Sequence, residues 1–175
     1  MDYRPITFKD CRPKLFRHFS RYQEVTRVWR CVDGQWVLRE ENFVQQWDQK
    51  KLRRESKKLR QQIKQGCFAY GAWLDGRLVG RACLSPRLFG SQGQYVQLKD
   101  LHVSTECRGQ SVGRRLFAQC CEKARELGAK KLYVSSFPAD ATYQFYAALG
   151  CVDAEEVDPE LAKKEPLDRH LELLL

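Results

Sequence analysis

The sequence predicts an α/β (α+β) fold in which a mixed, mostly antiparallel sheet of about seven strands is flanked by four helices. The clearest sign of antiparallel pairing is Asp75-Gly76, a hairpin signal between two runs rich in β-forming residues. The clearest helical sign is residues 112–127, where apolar side chains recur at helical spacing shortly after an apolar run at 97–103. With 175 residues, 43% of them hydrophobic, the chain can bury a core, and we expect a single domain spanning residues 1–175.

The chain is expected to begin with one strand and one short helix. Tyr3–Phe8 is predicted as the first strand. Asp10 is a suitable N-terminal cap for a helix over Lys14–Tyr22. The apolar face of that helix would consist of Leu15, Phe16 and Phe19.

Residues 25–38 leave two interpretations open. Asp33-Gly34 is a hairpin signal between residues rich in Val and Trp, so the segment forms either two paired strands or an ordered loop. A long helix is then predicted through residues 43–65, ending at Gly66, since glycine is typical just past a helix end. The basic run at 50–64 lies in this helix with apolar residues near helical spacing, which indicates an amphipathic helix with a solvated basic face.

The remaining chain alternates strands and helices in the order that completes βααβββαβαββ. Ser85–Gly93 is turn-rich and 158–168 is polar, so both are expected to be connections. The predicted strands are Cys67–Leu74, Arg77–Leu84, Gln97–Val103, Leu132–Ser136, Cys151–Val157 and Arg169–Leu175, and the predicted helices are Val112–Leu127 and Asp140–Leu149.

Composition and charge exclude several classes of protein. The polar segment Met1–Asp10 lacks the apolar core of a secretion signal, and no apolar run approaches the roughly 18 residues of a membrane span. We therefore expect a cytoplasmic protein with no membrane partner. The eight cysteines contain no Cys-x-x-Cys pair and the three histidines form no ligand-like pair, so no metal site is predicted. The net charge of +9 suits a phosphate-bearing ligand.

The most informative segment is a glycine-bearing turn between the strand at 97–103 and the helix that begins at Val112. The first backbone N–H groups of a helix have no partner within it, and glycines allow a phosphate to approach them closely. We call residues 107–113 the phosphate loop. A P-loop NTPase is excluded because Arg114 and Arg115 follow Gly113 where Lys and a hydroxyl residue are needed. A dinucleotide-binding loop is excluded because position 111 is Ser and the next strand ends without a carboxylate.

Two motifs together identify a family. Arg108-Gly109-x-x-x-Gly113 resembles the pyrophosphate-binding loop of the GNAT superfamily of N-acetyltransferases, with Ser111 where a middle glycine is usual. Asp140–Cys151 resembles the second signature of that family, a short helix ending in Phe-Tyr-x-x-Leu-Gly-Phe. The two motifs occur in the right order, and the predicted order of elements matches the acetyltransferase fold, so the resemblance covers nearly the whole chain.

This resemblance implies that the chain binds acetyl-CoA as an acyl-donor substrate, without a metal, and acetylates an amine acceptor. It leaves homodimer formation open. The residues expected to bind acetyl-CoA are Leu101, His102 and Val103 on the strand, Arg108, Gly109, Gln110, Ser111, Val112, Gly113 and Arg114 in the loop and helix, and Ser136 on the neighbouring strand.

The resemblance also suggests a general acid but no clear general base. Tyr146, the Tyr of Phe-Tyr-x-x-Leu-Gly, would point its hydroxyl at the sulfur and protonate the departing thiolate. A purely structural role, in which the ring only packs, is the alternative. Where some family members place a glutamate, this chain has Gln97, which cannot accept the proton. The nearest titratable candidates are Asp100 and His102, on one face of the same strand.

The acceptor is expected between the N-terminal helices and the last hairpin, again by resemblance. Acidic residues that could attract its ammonium group are Glu40, Glu41, Glu155, Glu156 and Asp158. Two other functions remain open: an acyl-CoA-binding module without catalysis, and nucleic-acid binding through the basic helix. Nucleic acid is not the expected partner, because the chain lacks helix-turn-helix spacing and an RNA-binding signature.

Overall fold

The computed structural model describes residues 1–175 and contains nine strands and four helices. The strands are β1 (Asp2–Pro5), β2 (Tyr22–Val32), β3 (Gln35–Gln46), β4 (Phe68–Leu74), β5 (Arg77–Phe89), β6 (Tyr95–Val103), β7 (Lys131–Ser136), β8 (Val152–Asp153) and β9 (Arg169–Leu174). The helices are α1 (Gln49–Lys64), α2 (Val112–Glu126), α3 (Asp140–Ala147) and α4 (Pro159–Lys164).

Seven strands form one sheet in the order β1-β4-β5-β6-β7-β9-β8. All neighbouring pairs are antiparallel except β6 and β7, which are parallel. The parallel pair follows from the sequence order, because α2 carries the chain back across the sheet between β6 and β7. The predicted fold class is therefore confirmed.

The segment after Tyr22 forms a two-stranded ribbon, β2 and β3, apart from the main sheet. Its turn is Asp33-Gly34, with φ of 50° and 77°, so of the two interpretations the hairpin is right. The ribbon is anchored on α3, where the carboxylate of Asp140 accepts hydrogen bonds from Arg27 Nη2 at 2.6 Å and Trp29 Nε1 at 3.1 Å. A ribbon of two strands needs such packing, since an isolated hairpin is marginally stable.

The helix predicted over Lys14–Tyr22 is wrong, because residues 12–19 form successive turns. Their backbone bonds join residues three apart, from Arg17 N to Lys14 O at 3.0 Å and from Phe19 N to Phe16 O at 3.0 Å. Asp10 caps no helix and instead accepts from Thr7 N at 2.8 Å. A helix of nine residues is marginal by itself, and here the chain is extended again from Tyr22.

Several other elements differ from prediction, beginning with the first strand, which is Asp2–Pro5 and not Tyr3–Phe8. The second helix begins at Gln49 and not at 43, because β3 extends to Gln46 and Asp48 caps α1 by accepting from Lys51 N at 2.6 Å. The polar connection at 158–168 contains α4, capped by Asp158 with Pro159 at its first position. The strand predicted over Cys151–Val157 is only the two residues of β8, and β5 runs into the predicted turn region as far as Phe89.

Two apolar clusters cover the sheet. The larger contains 19 buried residues, and includes Leu116 and Cys120 of α2 against Val96 and Leu132 of the sheet. The smaller contains 10 buried residues and joins the N-terminal turns and α1, through Phe16 and Leu59, to β4 and β5. All eight cysteines are free, and all but Cys31 are buried. No helix is long and apolar enough to span a bilayer.

Candidate active site

An open cavity of about 1080 Å³ lies where β6 and β7 separate. Its walls come from the segment before β2, from α1 and α3, from the phosphate loop and from the segment after α4. The carboxyl ends of the two parallel strands therefore open into a space bounded by helices on several sides, which is a common place for a ligand site in such sheets.

The separation of the two strands leaves backbone groups without a partner. β6 pairs with β7 only from Tyr95 to Leu98, after which no residue of β6 is matched on that side. A bulge at Lys99, where Leu98 pairs with Leu84 but Asp100 with Cys83, re-aims the strand at this point. Residues 101–103 remain paired with β5 on one edge only, so their other edge can hydrogen bond to a ligand.

The phosphate loop presents free N–H groups to the same cavity. The first hydrogen bond of α2 runs from Arg115 N to Ser111 O at 3.0 Å, which leaves the N–H groups of residues 112–114 without helical partners. Gly109 has φ of 74° and Ser111 has φ of 60°, so both adopt left-handed conformations. Ser111 therefore stands in a conformation that favours glycine, which explains why a glycine is usual there.

The structure brings nearly all predicted donor-binding residues together. Those that line the cavity are Leu101, His102, Val103, Arg108, Gly109, Ser111, Val112, Gly113, Arg114 and Ser136. The exception is Gln110, whose side chain turns back to donate to Glu106 O at 3.1 Å and does not line the cavity. Gly113 also leaves room for the packing of α3, because a β carbon there would lie 3.2 Å from the ring of Phe145.

Tyr146 projects from α3 into the cavity between the rings of Phe117 and Phe145, at centroid distances of 6.0 and 5.1 Å. Its hydroxyl has no hydrogen-bond partner in the protein, although it is not sealed from the cavity. Burial raises the pKa of the phenol, and nearby acidic groups raise it further. The hydroxyl is therefore protonated at neutral pH and free to donate a proton to a ligand.

Asp100 is buried and bound to cations. Lys58 Nζ lies 2.7 Å and Arg81 Nη2 3.5 Å from its Oδ1, and Gln62 Nε2 donates to Oδ2 at 2.6 Å. Burial alone would raise the pKa of Asp100, but the charges of Arg81 and Lys58 outweigh it and hold the pKa well below its ordinary value. This carboxylate is a poor proton acceptor, because its ionised form is strongly stabilised.

His102 faces the cavity two residues further along β6. About a quarter of its side chain is exposed, its ring packs edge-on against Trp47 at 4.8 Å, and Nε2 lies 3.9 Å from Asp100 Oδ1. Desolvation by the surrounding protein, together with the positive charge of Arg81, lowers the pKa of the imidazole well below its usual value. The negative charge of Asp100 only partly offsets this. The imidazole is therefore neutral at pH 7 and able to accept a proton.

The acidic residues predicted to attract the acceptor lie elsewhere. Glu41 pairs with Arg30, Glu155 with Lys131, Glu156 with Ser91, and Asp158 caps α4, while Glu40 lies on the exposed ribbon. None of these five lines the cavity.

Several side chains of the cavity were not predicted from the sequence, and three of them carry charge or a large ring beside the site: Arg21, Trp47 and Asp168. Asp168 accepts from Ser135 Oγ at 3.1 Å and forms no ion pair. Burial, with Glu165 nearby, raises its pKa to about 6. No local pattern marks these residues, since each belongs to a connection and reaches the cavity only through the tertiary fold. The aromatic content of the N-terminal segment was the one signal for Trp47.

Comparison with known proteins gives a family and a fold. The model of the acetyltransferase (GNAT) family matches residues 25–151. Compared by sequence with functionally curated proteins, the chain finds no significant match.

Solved structures share the architecture over almost the full length. A nourseothricin acetyltransferase superposes with a TM-score of 0.70 at 19% identity, covering 99% of this chain and 97% of the other. A protein named as a streptothricin acetyltransferase, from Bacillus anthracis and bound to acetyl coenzyme A, gives 0.68 at 16% identity, with 99% and 98% covered. The PaiA N-acetyltransferase of Thermoplasma acidophilum, bound to coenzyme A, gives 0.61 at 14% identity, with 99% and 98% covered.

Proposed function

The chain belongs to the acetyltransferase (GNAT) family, and from that membership we propose that it transfers an acetyl group from acetyl-CoA to a primary amine by direct attack in a ternary complex. The observation that carries this proposal is the position of Tyr146. A protonated phenol without a protein partner faces the cavity between the two separated strands, and the free N–H groups at the start of α2 line the same cavity.

The donor fits the free backbone groups of the cavity. We propose that the unpaired edge of residues 101–103 hydrogen bonds to the pantetheine chain, with Ser136 on the opposite strand. The N–H groups at the start of α2 would bind the pyrophosphate, because the positive end of the helix dipole favours an anion there. Positioning of this kind contributes on the order of 7–11 kcal/mol in ideal cases.

The reaction needs two proton transfers, one to the departing sulfur and one from the attacking nitrogen, and Tyr146 and His102 each perform one of them. When bound, acetyl-CoA supplies an activated acyl group and a thiolate as its leaving group. Tyr146 gives its proton to the departing sulfur. His102, neutral at pH 7, takes a proton from the attacking nitrogen, which matters because an amine of pKa near 10 is only about one part in a thousand neutral at that pH. Asp100 does not serve as the base, because the charges of Arg81 and Lys58 lower its pKa and make the carboxylate a weak proton acceptor. Its Oδ1 lies 3.9 Å from His102 Nε2.

We propose that the ammonium group of the acceptor binds on the side of the cavity near Asp168. That carboxylate has no cationic partner in the protein and lies beside Ser135 at the end of β7. An ammonium group there would relieve the repulsion between Asp168 and Glu165. The names of two similar structures point to nourseothricin and streptothricin as the first acceptors to try.

A thiol-release assay tests the proposal. The protein is incubated with acetyl-CoA and a panel of amines, including the two antibiotics, an alkyl diamine and peptides with free N-termini, and coenzyme A binding is measured in parallel by calorimetry. Release of thiol with at least one amine is the expected result. Binding of coenzyme A without turnover on any amine would favour the non-catalytic module and contradict the proposal.

A further inference from the structure

Arg21 occupies a fixed position at the end of β6, although it lies outside the residues that match the family model. The two neighbouring residues pin the backbone, since Ser20 N donates to Ser104 Oγ at 2.8 Å and Tyr22 N to Thr105 Oγ1 at 3.1 Å. The carbonyl of Arg21 accepts from Trp47 N at 3.0 Å. A connection between two elements is rarely tied down so fully, and these bonds hold the Arg21 side chain at the wall of the cavity.

Arg21 is half-buried, and its guanidinium has few acceptors within the protein. Nη1 is inaccessible to solvent and has no hydrogen-bond partner, and Nη2 reaches only Gln45 Oε1 at 3.5 Å. Burial, and then the positive charge of Arg108, lower the pKa of Arg21 to about 10, so it remains charged at neutral pH. A buried charge without a partner is costly, and such a group is normally paired with an anion.

The neighbouring charge is of the same sign. Arg108 lies in the phosphate loop, lines the same cavity and donates through Nε to Val103 O at 3.3 Å. Neither arginine forms a salt bridge, and the one carboxylate that acts on Arg108, Glu106, accepts from the Ser104 hydroxyl at 2.8 Å. Two guanidinium groups held together without a carboxylate between them repel each other unless an anion binds to both.

We propose that Arg21 and Arg108 form a two-arginine clamp that binds a phosphate of the acyl donor, facing the N–H groups at the start of α2. The clamp rests on the proposed use of acetyl-CoA and extends its binding site to a segment that precedes the family match. A phosphate is favoured over an acceptor carboxylate because Arg108 is only four residues from Val112, where the free N–H groups begin. Arginine pairs with phosphate and with carboxylate alike through two parallel hydrogen bonds, so the preference for phosphate rests on this position beside the start of α2.

Calorimetry with coenzyme A and no acceptor tests the clamp. Arg21→Gln is expected to raise the Kd for coenzyme A about tenfold or more. Arg39→Gln is the matched control, because it removes the same charge from an exposed residue of β3 outside the cavity, and its Kd is expected to stay within about twofold of the wild type. Added salt should weaken wild-type binding more than that of Arg21→Gln, since a charge contact is screened.

A second ligand locates the contact. Pantetheine has no phosphate, so its binding, followed by NMR titration, should be equal in the wild type and in Arg21→Gln. The double variant with Arg108→Gln should lose less than the product of the two single losses, because both side chains act on one group. If Arg21→Gln does not fold, Arg21→Lys keeps the charge without the planar fork, and an intermediate affinity for coenzyme A is then expected.

Three outcomes would overturn the clamp: an unchanged Kd for coenzyme A in Arg21→Gln, an equal loss for pantetheine, or an effect confined to the KM of an amine acceptor. The last would assign the arginines to an acceptor carboxylate. Failure of every amine to be acetylated would contradict only the proposed activity, because the clamp is measured by binding alone.

Discussion

At the scale of single residues, the hydroxyl of Tyr146 faces the cavity and has no hydrogen-bond partner in the protein. If it protonates the thiolate, Tyr146→Phe keeps the ring between Phe117 and Phe145 and removes only the proton. We expect kcat to fall roughly 10²-fold or more, as for a lost general acid. Calorimetry should show the affinity for acetyl-CoA within about threefold of the wild type, because the lost interaction is made mainly in the transition state.

Two results would contradict that assignment. An unchanged kcat would leave Tyr146 with a packing role only. Equal losses in affinity and melting temperature would mean that the hydroxyl has a structural partner after all.

His102 gives a prediction about pH. Its pKa is lowered by burial and by Arg81, so the neutral imidazole persists below pH 6.5 and is lost only as the pH falls further. The acid limb of the kcat/KM profile should therefore lie below pH 6.5. His102→Asn should reduce kcat/KM by about 10²-fold at pH 7 and remove that limb. A profile of unchanged shape in His102→Asn would exclude His102 as the base.

At the scale of elements, the start of α2 combines ligand binding with packing. Gly113 leaves room both for the ligand and for the ring of Phe145, which a β carbon would approach at 3.2 Å. We expect Gly113→Val to lower acetyl-CoA affinity at least tenfold, about 1.4 kcal/mol, and also to lower the melting temperature. Calorimetry and thermal unfolding measure the two effects separately.

Gly113→Ala is the graded control, since its single methyl meets Phe145 but extends less toward the ligand. It should show a smaller loss of affinity. A folded Gly113→Val variant with unchanged affinity would remove this part of α2 from the donor site.

The elements also show which signals in the sequence are reliable. Asp33-Gly34 and Asp75-Gly76 both form the hairpins they indicate, because the left-handed backbone they need is available to few other residues. The apolar face at residues 14–22 misled because burial of Phe16 and Phe19 needs no helix; turns bury them equally well. No helix was predicted at 158–168, because the six residues of α4 are too few to show any periodicity, although an Asp followed by Pro is typical of a helix start.

At the scale of the whole molecule, the residues of the proposed donor half of the cavity could be named from the sequence, and those of the proposed acceptor half could not. Residues 101–113 are contiguous, so a local motif identified the donor half. The acceptor half combines Trp47 and Asp168, which belong to connections far apart in the chain, with His102 of β6, and only the fold brings them together. The five acidic residues expected there form ion pairs, a hydrogen bond to Ser91 and a helix cap, or lie on the exposed ribbon, since charge alone does not say which way a side chain faces.

Asp168 links this cavity to the stability of the whole protein. Its pKa is about 6 in the folded state against an ordinary 3.8, so the folded protein holds the proton more tightly than the unfolded chain. Stability should therefore fall as pH rises from about 4 to about 6, and the ionised carboxylate should destabilise the fold at pH 7. The size of this effect is at most about 3 kcal/mol, because one pH unit between the folded and unfolded pKa values corresponds to about 1.4 kcal/mol.

Urea unfolding of Asp168→Asn and the wild type at several pH values measures it. Asparagine keeps an acceptor for Ser135 but cannot ionise, so the variant should be the more stable protein at pH 7 and equal to the wild type near pH 4. Asp100→Asn is the control of opposite sign. The pKa of Asp100 is lowered by Arg81 and Lys58, so its ionised form stabilises the fold, and removing it should cost stability at pH 7. A free-energy difference between Asp168→Asn and the wild type that does not change between pH 4 and pH 7 would show that Asp168 titrates normally, and the cation-free carboxylate proposed to receive the acceptor would lose its support.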